Sequence, residues 1–299
     1  MLNSGCATPQ YVVRQTPVPE ESAAALQIER EISAVQGREF EARDARLLGA
    51  GERVKGFEVQ PILARLTRAT ERPSLPYRAY LYEDDDPNAA SLADGRVYVS
   101  TGMIDYLAQR GGRVDELAFV LAHELAHTVA QHLVRRYRTL QQQQLLIALV
   151  AAGASAATRD AGAGAQEAGR LALDVASLLR DVANSGYSQE QELEADQLGI
   201  RYVIRAGFDP TAALDLLEDF ARFENPWPFL RTHPYSARRR EDLSRYLAEI
   251  GTGSPAPSRK DGERARRLRA LREAQRLYPV GSVSWQNLQR QIDALERTQ

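Results

Sequence analysis

Apolar residues recur at helical spacing over much of the chain and alternate with polar residues in only a few short stretches. The helical spacing predicts helices over residues 22–35 and 59–70. Between Leu117 and Val134, apolar side chains point in nearly every direction around the helix axis, which is typical of a helix that passes through a hydrophobic core. Asp115, just before this stretch, is placed to cap the helix. The pattern therefore predicts a mostly α-helical chain.

Three short stretches have the composition and the turn signals of β-strands. Asp94-Gly95 predicts a tight hairpin turn between the last two of them. Thr101 is expected to cap a short helix that follows. The predicted strands are residues 77–83, 88–92 and 96–100. Together, the predicted elements give an α+β fold, mostly α-helical, in which a small three-stranded sheet packs on the long buried helix.

The long buried helix contains the pattern His-Glu-x-x-His. His123 and His127 lie one helical turn apart, so both imidazoles stand on one face and can bind the same metal ion. Glu124 lies about 100° around the axis from His123, where it can contact a metal-bound water. A chance match to this pattern is expected in roughly one in a hundred chains of this length, so further support is needed.

A second segment offers carboxylates at the same spacing. Ser188 and Gln191 have the spacing of a capping box, which predicts the start of a helix that continues to Gly207. Glu192 and Asp196 then lie one turn apart on one face of this helix. The helix dipole also favours acidic residues at a helix start without any metal. The metal-ligand candidates that spacing alone leaves open are Glu190, Glu192 and Glu194.

Composition limits the class of protein and the kind of metal site. The net charge of -2 argues against a nucleic-acid-binding protein. The single cysteine, Cys6, excludes an internal disulfide framework and a cysteine-rich zinc site. A metal must therefore be held by histidine and carboxylate side chains. No apolar run reaches the roughly 20 residues that span a bilayer as a helix.

Three motifs in order along the chain resemble the M48 family of zinc metallopeptidases, which belongs to the gluzincins. They are HELAH at 123–127, ELEAD at 192–196 and the pair His233-Pro234, and the similarity covers about residues 55–250. The resemblance implies a zincin-like fold. It also implies that His123, His127 and Glu192 bind one zinc ion, with a fourth position left for water.

The resemblance implies roles for further residues. Asp196 would orient a ligand histidine from outside the coordination sphere, and Arg239 would anchor its helix by a salt bridge. His233 is the only histidine outside the HExxH helix, and it would stabilise the developing oxyanion or, in a resting state, occupy the open zinc position. The alternative is a turn histidine with no role in the site. A polypeptide substrate would lie as an extra strand along the sheet edge near Asn88 and Ala89.

With the resemblance, these residues imply a zinc metalloendopeptidase that acts on unfolded or misassembled envelope proteins. Zinc lowers the pKa of its bound water to about 7, and Glu124 would move the proton to the leaving amine. One alternative is a periplasmic chaperone or assembly factor whose protease activity is minor or suppressed by His233. Another is a purely structural zinc, which the presence of Glu124 argues against. His132 is expected to be structural, because it lies half a turn from His123 and about 140° around the helix from His127, so it points away from the metal.

The remaining segments suggest how the domain is attached and covered. The sequence Ser4-Gly5-Cys6-Ala7 resembles the junction after a lipoprotein signal. We therefore expect a lipid anchor at Cys6, with most of the signal peptide outside this sequence. We also expect a location in the bacterial periplasm, near the outer-membrane assembly machinery that the family resemblance suggests as a partner. The alternative is a lone cysteine in a tail. An Ala/Gly-rich tract ending near residue 169 is either a lid or a solvated loop. The predicted regions are a tether (1–19), a metallopeptidase domain (20–253) and a helical tail (254–299).

Overall fold

A computed structural model describes residues 18–143, 186–222, 233, 236–250, 271, 275 and 283–297. Predictions for Cys6, most of the tether, the Ala/Gly-rich tract and Pro234 lie outside the described residues. The chain divides into two compact units, Met1–Tyr246 and Leu247–Gln299. The first unit carries all the candidate site residues within the described part of the chain.

Along the described part of the chain, helices both precede and follow the strands of the small sheet. The helices are α1 (Ala23–Glu41), α2 (Val59–Thr67), α3 (Thr101–Gln109), α4 (Val114–Val129), α5 (132–143), α6 (Gln189–Arg205), α7 (Ala212–Phe220), α8 (Ser236–Glu249) and α9 (Val283–Arg297). The strands are β1 (Arg46–Leu47), β2 (Arg78–Tyr82), β3 (Ala89–Ser91) and β4 (Arg96–Ser100). The α+β, mostly helical fold predicted from sequence is confirmed.

The sheet has four strands in the order β1-β2-β4-β3, where three were predicted. The added strand, β1, is only two residues long and therefore too short to show an alternating pattern. β2 and β4 are parallel, whereas β1 and β3 pair antiparallel with their neighbours. Gly95 has a φ of 93° in the turn between β3 and β4, as the hairpin prediction required. β3 is an edge strand among the described residues.

Two of the predicted helix caps were wrong. Ser100 caps α3, since its side chain accepts a hydrogen bond from the backbone of Met103, while the Thr101 hydroxyl donates to the Asp84 carbonyl. α4 begins without a side-chain cap, and the Asp115 carboxylate accepts a hydrogen bond from the Asp209 backbone. Short polar side chains at helix starts have several local partners, so sequence does not choose among them.

Helix α4 passes through the core, as its apolar pattern predicted. Every residue from Glu116 to Val129 is buried. The helix was predicted to continue to residue 134 but ends at Val129, because Gln131 adopts a left-handed conformation with a φ of 54°. The Gln131 amide is held by the Glu20 backbone at 2.8 and 2.9 Å and by Glu29 Oε1 at 2.7 Å. α5 therefore starts in a new direction.

Helix α6 lies directly against α4, and this contact brings the two predicted motifs together. A Cβ atom at Gly199 of α6 would lie 3.1 Å from the backbone nitrogen of His123. Such a separation is tighter than ordinary van der Waals contact, so a side chain at this position would push the two backbones apart by a few tenths of an ångström. The capping box of Ser188 and Gln191 at the start of α6 is present, as predicted.

The second unit, Leu247–Gln299, contains α9. This helix, Val283–Arg297, lies within the tail of residues 254–299 that was predicted to be helical. Gln275 Nε2 donates to Gln289 Oε1 at 2.8 Å and to the Trp285 carbonyl at 3.3 Å, which ties an earlier part of this unit to α9. The chain ends with a helical region that contains none of the candidate site residues.

Candidate metal centre

Three segments bring one cluster of nitrogen and oxygen atoms together. α4 supplies His123 and His127, α6 supplies Glu192, and the residue 233 position just before α8 supplies His233. One potential ligand atom from each residue lies within 4.8 Å of the other three. All four side chains are buried. The glutamate that spacing left ambiguous is distinguished by its position, because Glu190 is exposed and Glu194 contacts other residues.

The inward-facing atoms of this cluster are mostly acceptors. His123 Nε2 lies 3.1 Å from His127 Nε2 and 3.1 Å from His233 Nδ1. Glu192 Oε1 lies 3.4 Å from His127 Nε2 and 3.0 Å from His233 Nδ1. Among the described residues, Glu192 Oε2 forms no hydrogen bond in suitable geometry, although the Arg239 guanidinium lies 2.9 Å from it. Buried lone pairs that face each other are costly unless a cation or protons lie between them, so this donor set fits a bound metal ion.

Glu124 is attached to the edge strand of the sheet. Its Oε2 accepts a hydrogen bond from the Ser91 backbone at 2.9 Å, and its backbone carbonyl accepts one from Ser91 Oγ at 2.6 Å. Its Oε1 lies 3.3 Å from His233 Nε2 and has no hydrogen bond within the described part of the chain. Burial raises the pKa of Glu124. One carboxylate oxygen is thus held by Ser91, and the other faces the centre of the cluster.

Asp196 and Arg239 form a buried layer behind the cluster. Asp196 Oδ1 lies 2.9 Å from His123 Nδ1, which leaves His123 Nε2 facing the other ligand atoms. Arg239 Nη1 lies 2.9 Å from Glu192 Oε2 and donates to the His233 carbonyl at 3.2 Å. Although burial opposes ionisation, the Arg239 guanidinium lowers the pKa of Asp196. The salt bridge predicted for Arg239 is therefore present.

The expected orientation of His132 was wrong. His132 Nδ1 lies 2.7 Å from His127 Nδ1, and its Nε2 lies 3.1 Å from Glu194 Oε2. The break at Gln131 turns this side chain back toward His127, whereas an unbroken helix would point it away. Burial lowers the pKa of His127 well below its ordinary value, which favours the neutral ring.

Sequence reasoning did not identify Ser91 and Tyr187 as site residues. The Tyr187 ring stacks on His127 with a centroid distance of 3.6 Å and an interplanar angle of 18°. No motif contains either residue, and only their tertiary contacts reveal them. The predicted substrate-binding residues lie at the start of the edge strand. Asn88 N donates to Ser100 Oγ at 2.8 Å, and Ala89 is paired with Val99 of β4.

Comparison with known proteins identifies the family. The sequence profile of the family described as peptidase family M48 matches residues 55–247, well over half of the chain. The chain belongs to this family. The M48 assignment agrees with the zincin-like architecture and with a metallopeptidase, and the buried cluster of three histidines and Glu192 could hold a metal ion. Within the described part of the chain, no helix combines the length and the apolar character needed to cross a bilayer.

Several curated relatives carry names of peptidases. The beta-barrel assembly-enhancing protease of Escherichia coli is 31% identical over 182 residues, which cover 60% of this chain and 36% of that protein. The mitochondrial metalloendopeptidase OMA1 of Schizosaccharomyces pombe is 28% identical over 200 residues, covering 64% of this chain and 52% of that protein. OMA1 of Saccharomyces cerevisiae is 32% identical over 169 residues, covering 54% and 44%. The chain thus matches about a third to a half of these relatives.

Proposed function

We propose that this protein is a zinc-dependent metalloendopeptidase. The observation that carries the proposal is the convergence of His123, His127 and Glu192 on one buried point, with the unbonded oxygen of Glu124 beside it. Nitrogen and carboxylate ligands with room for a fourth favour zinc over harder cations such as magnesium or calcium. The separation of roles, in which three residues hold the metal and a fourth performs proton transfer, matches a catalytic site better than a closed structural one.

Glu124 acts as the general base in this proposal. When bound, zinc supplies a water of lowered pKa and polarises the substrate carbonyl. Ser91 fixes Oε2 of Glu124, so the side chain is held in one orientation with Oε1 free to accept a proton. Glu124 then delivers that proton to the leaving amine, and the peptide bond is hydrolysed without a covalent enzyme intermediate. Asp196 holds His123 from behind, as expected of a residue that orients a ligand.

His233 acts as a latch in the resting protein. Its Nδ1 lies near His123 and Glu192, and its Nε2 lies 3.3 Å from Glu124. The ring therefore stands between the general base and the proposed metal ligands, where a substrate carbonyl must approach. Movement of His233 from this position makes room for substrate, and the same imidazole can then stabilise the oxyanion. Replacement by alanine raises activity if latching dominates and lowers it if oxyanion stabilisation dominates.

The substrates of this proposal are unfolded or misassembled polypeptides of the bacterial envelope. β3 is an edge strand, and its Ser91 contacts Glu124, so an extended peptide that adds to this edge near Asn88 and Ala89 passes close to the general base. Backbone hydrogen bonding of this kind requires an unfolded segment and reads little of its sequence. The name of the Escherichia coli relative supports a role near outer-membrane assembly. We propose a periplasmic location with a lipid anchor at Cys6.

A second candidate function is a chaperone or assembly factor that binds polypeptide at the same edge strand. The position of His233 between Glu124 and the ligand residues favours it, because these contacts suppress hydrolysis and involve no residue of β3. The two functions predict different outcomes for the same protein. A peptidase cleaves a bound polypeptide, whereas a chaperone releases it intact.

Casein digestion by the purified full chain tests the peptidase proposal. We expect cleavage that stops with a zinc chelator, returns with added zinc, and falls by about 100-fold or more in Glu124→Gln. Glu190→Gln is the matched control, because it makes the same chemical change at an exposed position. Cleavage that survives both the chelator and Glu124→Gln would refute the proposal. Casein binding without cleavage, also after His233→Ala, would favour the chaperone, and unfolding on chelation would indicate a structural zinc.

A further inference from the structure

A second set of polar side chains, His132 and Glu194, lies behind the metal cluster next to His127. We infer that His132 and Glu194 are positioning residues, which fix the ring nitrogen that His127 presents to a metal ion. This inference rests on the proposed function, because it concerns the metal site of that function. It assigns a role to His132, the one histidine of the chain outside the proposed site, and to a glutamate that is not a proposed ligand.

The donor and the acceptor of each hydrogen bond in this set follow from which atoms carry protons. Glu194 is held by Arg135, with Nη1 to Oε2 and Nη2 to Oε1 both at 3.2 Å, so its carboxylate acts as an acceptor. The ring nitrogen that faces it, His132 Nε2 at 3.1 Å, must therefore be the donor. In a neutral ring, His132 Nδ1 then carries a lone pair. That lone pair lies 2.7 Å from His127 Nδ1.

His127 must accordingly carry its proton on Nδ1. A neutral imidazole has one N–H group, so Nε2 of His127 is left with a lone pair. This is the nitrogen that lies 3.1 Å from His123 Nε2 and 3.4 Å from Glu192 Oε1. The path from Arg135 through Glu194 and His132 thus selects the tautomer of His127 that a metal ion requires.

The two proposed ligand histidines, His123 and His127, are oriented by different side chains. Asp196 contacts the Nδ1 of His123 directly at 2.9 Å. His127 has no carboxylate at this position among the described residues, and the His132 ring fills the gap between it and Glu194. The left-handed turn at Gln131 makes this arrangement possible, because it returns His132 toward α4 and α6. His132 is fully buried, in agreement with a role inside the protein.

A matched pair of variants separates positioning from packing. His132→Asn keeps an acceptor near the position of Nδ1, whereas His132→Leu has a similar shape and no acceptor. We expect His132→Leu to weaken zinc binding by about 10-fold to 100-fold, measured by competition with a chromophoric chelator, and His132→Asn to retain most of the affinity. Glu194→Gln, which preserves shape, should weaken binding by a smaller factor. Circular dichroism and urea unfolding establish that each variant is folded.

The tautomer of His127 gives a direct readout that does not require catalysis. Two-bond proton–nitrogen NMR spectra of the histidine rings distinguish Nδ1–H from Nε2–H, in both zinc-loaded and metal-free protein. We expect Nδ1–H for His127 in the wild-type protein and in His132→Asn, and a mixture in metal-free His132→Leu. Unchanged zinc affinity and an unchanged tautomer in His132→Leu would overturn the inference, as would equal losses in both variants.

Failure of the inference is distinguishable from failure of the proposed function. If the wild-type protein does not cleave casein but His132→Leu still binds zinc more weakly than His132→Asn, positioning stands and the peptidase proposal falls. If the wild-type protein binds no zinc, the tautomer of His127 in the metal-free protein decides the inference by itself. Nε2–H in that state would overturn it.

Discussion

Arg239 holds Asp196 through two buried hydrogen bonds, from Nε to Oδ2 at 2.8 Å and from Nη2 to Oδ1 at 2.7 Å. Arg239 is 1% exposed and Asp196 is 1% exposed, so water does not compensate either charge. The same guanidinium lies 2.9 Å from Glu192. One cation therefore neutralises two carboxylates on the face of α6 that points to the metal cluster.

Arg239→Met should destabilise the metal-free protein by about 3–5 kcal/mol, because it leaves buried carboxylates without a counter-ion. Arg239→Lys should recover only part of this loss, since one ammonium group cannot replace a forked guanidinium. Urea unfolding in the presence of a chelator measures both effects. Arg238→Met is the control, because its side chain is 57% exposed and lies 3.5 Å from its nearest carboxylate, that of Asp242. Equal stability of the two methionine variants would contradict the prediction.

Gly199→Ala should weaken the metal site by separating α4 from α6. The new Cβ would lie 3.1 Å from the His123 nitrogen and 3.2 Å from the Ala122 carbonyl carbon, and backbone atoms do not move aside as a flexible side chain would. Overpacking costs about 1–3 kcal/mol. Alanine favours the helix over glycine by about 1 kcal/mol, which offsets part of the overpacking cost, so the net loss of folding stability is small. Zinc affinity is the sharper measurement, because Glu192 and His123 move apart.

Gly51→Ala is the control for this substitution, since a Cβ atom there meets nothing within 4 Å. We expect zinc affinity to fall in Gly199→Ala and to remain at the wild-type value in Gly51→Ala. Equal zinc affinity in the two variants would mean that the close approach of α4 and α6 does not set the ligand geometry.

The parts of the site that sequence could predict are those encoded by local spacing. His123, His127 and Glu124 belong to one helix, and the apolar pattern of α4 indicates that this helix is buried. The capping box fixes the start of α6, so the positions of Glu192 and Asp196 along that helix were also predictable. Local spacing did not indicate that the two helices touch, and only the resemblance to M48 peptidases implied it.

The parts that sequence could not predict depend on backbone turns and tertiary contacts. His132 was given the wrong direction because a left-handed glutamine interrupts the helix, where glycine or asparagine would have been the usual sign. The contacts that hold Gln131 in this conformation come from Glu20 and Glu29, about a hundred residues earlier in the chain. Ser91 likewise reaches Glu124 only because β3 crosses beside α4. Periodicity contains no information on such pairs.

Glu29 and Arg72 form a buried ion pair that should be strongly coupled. Nη1 and Nη2 of Arg72 donate to the two oxygens of Glu29 at 2.7 and 3.0 Å, and both residues are at most 2% exposed. Either Arg72→Met or Glu29→Leu alone should cost about 3–5 kcal/mol, whereas the double variant should recover much of this loss because no buried charge remains. Urea unfolding of the four proteins measures the coupling. Additive losses would show that the two charges do not depend on each other.

Glu194 should make the protein less stable in acid, in a defined pH range. Burial opposes its ionisation, but hydrogen bonds from His132 and Arg135 lower the pKa of Glu194 from 4.5 to about 2. A carboxylate with a lowered pKa in the folded protein contributes stability above the unfolded pKa, near 4.5, and loses it as pH falls toward 2. The free energy of unfolding of wild-type protein should therefore exceed that of Glu194→Gln at pH 7, with a difference that shrinks between about pH 4.5 and pH 2. Because the carboxylate is partly exposed, this difference should be on the order of 1 kcal/mol.

Urea unfolding at a series of pH values, in the presence of a chelator, measures this difference in stability, and Glu190→Gln serves as the exposed control. A difference that stays constant down to pH 2 would show that Glu194 acts through packing rather than through its charge.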